Sequence, residues 1–330
     1  MRRLLVAAAI VAIPAAAKAE TVDQVAARYG LAGEILVAKG AAAPSSTAYG
    51  TLVPGGTRRH RPGQRWRLAS ISKQVTAALL LRDLPGMPAA LDAPLAGGSD
   101  AANGTRVPTL RQLLTHHTGL ANPDATPVSL DGVPGFYQRP APDMAYCRSK
   151  AASPGAEFAY NNCDYLIAAQ ALGPRPRWPR GMAMAKPGER LVPGFVGGKP
   201  EPRYELASFG AAGGLTGTAR DVLHFDCALL TGAFLTPAAL AALWQPEGGR
   251  SYQALGQWVF PGTLNGCAAP KRIVQRDGEI GGVQTRNFIF PDDDMVVIVF
   301  TNRSVDDFAM GEVWQGRGFA CDLLSAAACG

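Results

Sequence analysis

Residues 68–74 read Leu-Ala-Ser-Ile-Ser-Lys-Gln. From Ser70 onward the apolar residues Ile71, Val75, Ala78, Leu79 and Leu80 recur at helical spacing, and Asp83 and Pro85 end the pattern. Ser70 therefore opens a helix, and Lys73 stands one turn away on the same face. It is the only S-x-x-K in the chain. An alcohol attacks a carbonyl only when a base takes its proton, and a lysine amine serves once burial or a cationic neighbour lowers its pKa. The backbone N–H groups at the helix start would face the oxyanion that forms. Taken alone, the pattern also describes an N-capping serine and a solvated lysine.

Working outward, residues 34–39 and 46–53 read as strands that open the chain, and residues 65–68 run extended into the helix. Between about residues 84 and 204, helical pieces at 109–116 and 160–172 alternate with Pro- and Gly-rich connections such as 173–180, without a hairpin signal. Helices follow at 218–230, with Thr218 as N-cap, and at 236–244. Strands return at 253–260, 272–276, 284–290 and 295–301, the last two joined by the Pro291-Asp292-Asp293-Asp294 turn, and a helix over 306–327 closes the chain. The order predicts an α+β fold: an antiparallel sheet built from both chain termini and flanked by helices, with an inserted, mainly helical domain. The expected boundaries are 20–69 plus 205–330 for the discontinuous sheet domain and 70–204 for the insert.

Composition narrows the function classes. With 330 residues, 47% hydrophobic and 18% charged, the chain can bury a large core and is no disordered protein. Residues 1–19 read as a signal peptide: Arg2 and Arg3, the apolar run 4–17, then Ala17-Lys18-Ala19 as a cleavage site. No Cys follows Ala19, so a lipoprotein is not expected. Removing the segment leaves 29 Lys and Arg against 26 Asp and Glu, a balance too mild for a nucleic-acid partner. No later apolar run reaches spanning length, so a periplasmic or secreted protein without a stable membrane anchor is expected. Six cysteines (Cys147, Cys163, Cys227, Cys267, Cys321, Cys329) lack C-x-x-C spacing, which argues against structural zinc; at least one disulfide is expected among the 15 pairings. Cys163 competes poorly with Ser70 as a nucleophile.

Two further stretches carry chemistry. Tyr160-Asn161-Asn162 is the only Y-x-N and sits in a turn ahead of apolar helix, where a phenol and a carboxamide supply a proton acceptor and a hydrogen bond. Arg276-Asp277-Gly278-Glu279-Ile280-Gly281-Gly282 follows a strand; its glycines permit close backbone approach of a substrate to a sheet edge, and Arg276 carries positive charge toward it. Neither a P-loop nor a dinucleotide fingerprint occurs, so no nucleotide or other cofactor is expected.

Ser70-x-x-Lys73, Tyr160-x-Asn162 and a basic-x-Gly strand motif, in that order, resemble the penicillin-recognising serine hydrolases. The class C beta-lactamase branch, with its D-alanyl-D-alanine carboxypeptidase and carboxylesterase relatives, is the most similar, because it carries Y-x-N. Residues 113–120 (LLTHHTGL), 213–221 (GGLTGTARD) and 281–303 agree with it, so the likeness spans nearly all of the chain after residue 19. The resemblance implies that Ser70 is acylated, that Lys73 and Tyr160 transfer protons as a coupled pair, that Asn162 donates to the substrate amide, and that the Ser70 and Glu279 N–H groups form the oxyanion hole. Arg276, Asp277, Gly278 and Glu279 would line the substrate strand.

Some residues depart from that family. Arg276 stands where Lys or His is usual and cannot give up a proton. Asp277 stands where a small or hydroxylated residue is usual; it would repel a substrate carboxylate or neutralise Arg276. The segment after the Y-x-N helix is pared down to residues 173–199, which opens the cleft. The expected function is therefore an exported, metal-independent serine hydrolase using a covalent acyl-enzyme on a small ester, amide or D-peptide. A catalytically impaired relative that binds peptidoglycan-like peptides or a protein is one alternative, and a true beta-lactamase is another. His116 and His117 are expected in structural hydrogen bonds, Asp292–Asp294 in contact with water, and Trp178 near the acyl group.

Overall fold

The computed structural model describes residues 20–95, 107–153, 155–248 and 251–330; the expected signal segment lies outside them. The described residues begin not with a strand but with helix α1 (Val22–Tyr29), which a reciprocal capping box between Thr21 and Gln24 starts and left-handed Gly30 ends. The strands are β1 (Gly33–Lys39), β2 (Ser45–Tyr49), β3 (Trp66–Arg67), β4 (Ala183–Met184), β5 (Phe195–Val196), β6 (Lys199–Pro200), β7 (Leu215–Gly217), β8 (Gln253–Ala254), β9 (Gln257–Gly262), β10 (Lys271–Ile280), β11 (Val283–Phe290) and β12 (Met295–Thr301). The remaining helices are α2 (Ile71–Asp83), α3 (Leu110–Leu114), α4 (Met144–Cys147), α5 (Asn162–Ala168), α6 (Gly210–Gly213), α7 (Ala219–Leu230), α8 (Pro237–Leu243) and α9 (Phe319–Cys329).

A seven-stranded sheet runs β2-β1-β12-β11-β10-β9-β8 with antiparallel neighbours, so both ends of the chain build it. In its centre every residue of β11 and β12 is buried. Alternation still sorts the side chains: Val296, Ile298 and Phe300 join the core under α2 and α7, while Val297 and Val299 join the core under α1 and α9. Helix α2 buries every residue from Ile71 to Leu81, with α6 and α8 on one side and β10 and β11 on the other. No helix among the described residues is long and apolar enough to cross a membrane.

Several expected elements change extent. The strand expected at 46–53 ends at Tyr49, because left-handed Gly50 turns the chain. The strand expected at 253–260 is two strands folded about left-handed Gly256, where a Cβ would lie 2.7 Å from the Lys73 carbonyl oxygen. The middle of the chain does contain a hairpin, β5–β6, turning on Gly197-Gly198. The closing helix is only α9; Gly311, Gly316 and Gly318 adopt positive φ and keep the preceding segment irregular. Asp293 pairs with Lys271 at 2.6 Å rather than facing only water.

Candidate active site

Three elements converge on one cavity of about 530 Å³. Ser70 sits at the start of α2, preceded by Ala69 at φ +47, a left-handed conformation that costs a non-glycine residue on the order of 1 kcal/mol. Tyr160 ends the extended approach to α5, whose first residue is Asn162 and whose cap is Asn161; the helix expected from residue 160 thus starts two residues later, leaving the phenol on the cavity wall. The third element is β10. Arg276 to Ile280 form strand rather than the expected loop, and the turn is confined to Gly281-Gly282. Strand β9 pairs with β10 only as far as Gln275, so on that side the edge from Arg276 to Ile280 is unpaired and faces the cavity.

Glycines set these distances. A Cβ on Gly278 would lie 2.9 Å from the Ser70 nitrogen and 2.7 Å from the Leu68 carbonyl oxygen, so only glycine lets β10 run directly against the start of α2. Beyond the turn, Glu201 accepts the Gly282 N–H at 2.7 Å and pairs with buried Arg67, tying the hairpin to β3.

The polar contacts join Lys73, Arg276, Tyr160 and Asn162 around Ser70, while Arg276 Nη1 is left without a partner among the described residues. Lys73, fully buried, donates to Ser70 Oγ at 3.2 Å, Asn162 Oδ1 at 2.5 Å and the Ala212 carbonyl at 2.8 Å, which matches the three hydrogens of an ammonium. Arg276 donates through Nη2 to the Tyr160 oxygen at 2.7 Å and through Nε to the Ser70 carbonyl at 2.9 Å. Ser70 Oγ lies 2.6 Å from the same Tyr160 oxygen. Either oxygen of that pair can donate while Tyr160 is a neutral phenol; once it is a phenolate, Ser70 is the donor. Burial brings Lys73 down to about 8, with the Arg276 charge adding to the effect against the opposing pull of Tyr160. Burial opposes the Tyr160 phenolate, but Arg276 and then Lys73 outweigh it and bring the phenol down to about 8.

Asn162 lines the cavity while its Nδ2 donates to the Tyr137 hydroxyl at 2.7 Å, and Tyr137 donates to Asp124 at 2.6 Å. Asp277 does not pair with Arg276: alternation along β10 turns it to the other face, where it meets Arg286 directly across on β11, and Arg286 also reaches Glu312 at 3.3 Å. Glu279 lies at the rim with much of its surface in solvent; partial desolvation of its carboxyl and the nearby Asp306 push it up. His116 lies under Tyr160, ring centroids 4.7 Å apart, with Nδ1 3.0 Å from Asp164. His117 accepts or donates between the Ala156 carbonyl and Glu247. Cys163 is in a disulfide with Cys147, and a second joins Cys267 to Cys329.

Sequence reasoning missed Tyr137, Asp124, Phe158, Tyr204, Phe209, Trp258 and Arg286, all of which line the cavity, and Trp178 does not line it. The Ala212 carbonyl that holds Lys73 has no signature in sequence, being backbone.

A buried lysine and a phenol thus meet one serine beside an open strand edge, on an α+β scaffold with a seven-stranded antiparallel sheet. The beta-lactamase family model matches residues 19–175 and 173–318, and the chain belongs to that family of serine hydrolases. Its fold is similar to that of D-amino acid amidase from Ochrobactrum anthropi SV3 (16% identity, 92% of this chain and 96% of that one, TM-score 0.68). Also similar are a penicillin binding protein from Bacillus halodurans (17%, 92% and 98%, TM-score 0.66) and a class C beta lactamase from Rhodobacter sphaeroides (21%, 92% and 97%, TM-score 0.64). No curated protein sequence matches the chain.

Proposed function

We propose that the protein is an exported hydrolase that cleaves neutral esters or amides through an acyl-enzyme on Ser70. The observation that carries this reading is the Ser70 hydroxyl held 2.6 Å from Tyr160 and 3.2 Å from Lys73. As Ser70 Oγ bonds to the substrate carbonyl carbon, its proton passes to Tyr160, whose basic form Arg276 and Lys73 favour. The oxyanion is received by the N–H groups of Ser70 and Glu279. Tyr160 then returns the proton to the leaving oxygen or nitrogen as the carbonyl bond to it breaks, and water releases the acyl group by the reverse relay. Asn162 keeps a second Nδ2 hydrogen for the substrate amide.

Charge favours neutral substrates. Arg276 donates through Nε and Nη2 to the Ser70 carbonyl and Tyr160, Arg286 pairs with Asp277 and Glu312, and Asp124 and Glu279 add carboxylates at the cavity. These carboxylates at the cavity weigh against penicillins and D-alanyl-D-alanine ends, although Arg276 keeps a buried Nη1 without a partner among the described residues. The similarity to a D-amino acid amidase supports keeping amides beside esters. Two disulfides accord with export into an oxidising compartment. The test is intact-mass analysis after fluorophosphonate treatment, with a panel of esters, D-amino acid amides and beta-lactams assayed on one sample. A single adduct, lost in Ser70→Ala, with ester or amide turnover is expected. A folded protein without any adduct would leave only the reading of a binding relative.

A further inference from the structure

A second recess, of about 470 Å³, opens beside the catalytic cavity and is lined by Phe158, Ser251, Tyr252, Gln253, Trp258 and Trp314. It shares Phe158 and Trp258 with that cavity, so the two adjoin across these side chains. Four of the six lining residues are aromatic, and Phe158, Tyr252 and Trp314 are 47%, 43% and 47% exposed, an unusual concentration of ring surface to leave in water. The rings are braced from behind: Trp314 meets Trp258 at 6.4 Å and Phe260 at 5.5 Å, and Tyr252 meets Phe260 at 5.5 Å, all between centroids.

Its position selects one side of the scissile bond. The Arg276 guanidinium lies 4.9 Å over the Trp258 ring and donates to the Tyr160 oxygen, while Phe158 precedes Tyr160 by two residues. The recess thus lies on the Tyr160 side of Ser70. The leaving atom must reach the group that protonates it, and with Tyr160 in that role the substituent on the leaving atom extends the same way. We infer that this recess is the leaving-group subsite, and that the enzyme takes esters or amides whose alcohol or amine carries an aromatic group. The inference rests on the acyl-enzyme reading above. The bond to Ser70 Oγ forms, the bond to the leaving oxygen or nitrogen breaks, and the serine proton leaves with the aromatic alcohol or amine.

The test compares kcat/KM for ethyl acetate and 2-(2-naphthyl)ethyl acetate, which share an acyl group and release alkoxides of similar basicity. The naphthyl ester is expected to be favoured by about tenfold or more, and Trp314→Ala to reduce that ratio by about tenfold, with Trp314→Phe restoring most of it. Should Trp314→Ala fail to fold, Tyr252→Ala on the opposite wall reads the same ratio. A ratio near unity in the native enzyme, a ratio indifferent to both substitutions, or a preference that follows ethyl 2-naphthylacetate instead overturns the subsite. Fluorophosphonate labelling separates the levels: an adduct on Ser70 without the naphthyl preference sinks this inference alone, whereas no adduct and no hydrolysis of either ester sinks the acyl-enzyme reading.

Discussion

Lys73 and Tyr160 share one serine, and each has been brought to about 8 from a different starting point. With Tyr160 as the acceptor of the serine proton, Tyr160→Phe is expected to lower kcat/KM by about 10²–10⁴-fold with little change in stability, read from ester kinetics and a melting curve. The pH dependence has a definite sign. Raising pH toward about 8 takes the first proton from the coupled Lys73–Tyr160 pair and gives the form with phenolate beside ammonium, so acylation climbs through that region. Arg276 lowers both Tyr160 and Lys73. Arg276→Gln therefore moves the rising limb of the kcat/KM profile to higher pH; a limb that stays in place would show that Arg276 does not tune the pair. Motif spacing makes the meeting of Ser70, Lys73 and Tyr160 legible, because the proposed chemistry needs fixed residue types. Asp277 misleads, since adjacency to Arg276 in sequence becomes opposite faces in a strand, and its true partner Arg286 is reached only through the β10–β11 register.

A buried polar chain fastens the elements that carry the site. Asn287 of β11 donates to Asp226 of α7 at 3.0 Å and to Gln74 of α2 at 2.9 Å; Gln74 donates to Gln257 of β9 at 2.7 Å. Burial pushes the Asp226 carboxyl well up, so Asn287 faces an acid that resists ionisation. Asn287→Ala strands two acceptors and is expected to cost about 2–3 kcal/mol, measured as a lowered denaturant midpoint with unchanged slope. Element identity was readable where periodicity ran long, as in α2, α7, β11 and β12. Boundaries failed where tertiary contact or glycine decides: β8 and β9 look continuous until Gly256 must pack on the Lys73 carbonyl, and α1 hides its capping box in eight residues next to the expected cleavage site.

At the scale of the molecule the two disulfides lie in different neighbourhoods. Cys147–Cys163 joins α4 to the start of α5, next to Asn162, and Cys267–Cys329 ties the β9–β10 connection to the end of α9. With separations of 16 and 62 residues, loop-closure entropy gives about 3 and about 4 kcal/mol respectively. The Cys267→Ser/Cys329→Ser variant should lose stability while keeping its rate of fluorophosphonate labelling; Cys147→Ser/Cys163→Ser should lose both. The unfolded, unreduced chain should titrate two thiols, Cys227 and Cys321, with a thiol reagent. The pairing of β1 with β12 has a further effect during biosynthesis. Lys39 finds Met295 and Gly33 finds Thr301 only after every other strand of the sheet has been made, so β1 waits for β12. The nascent chain consequently cannot lock its central sheet until β12 has been made, and it remains threadable up to that point.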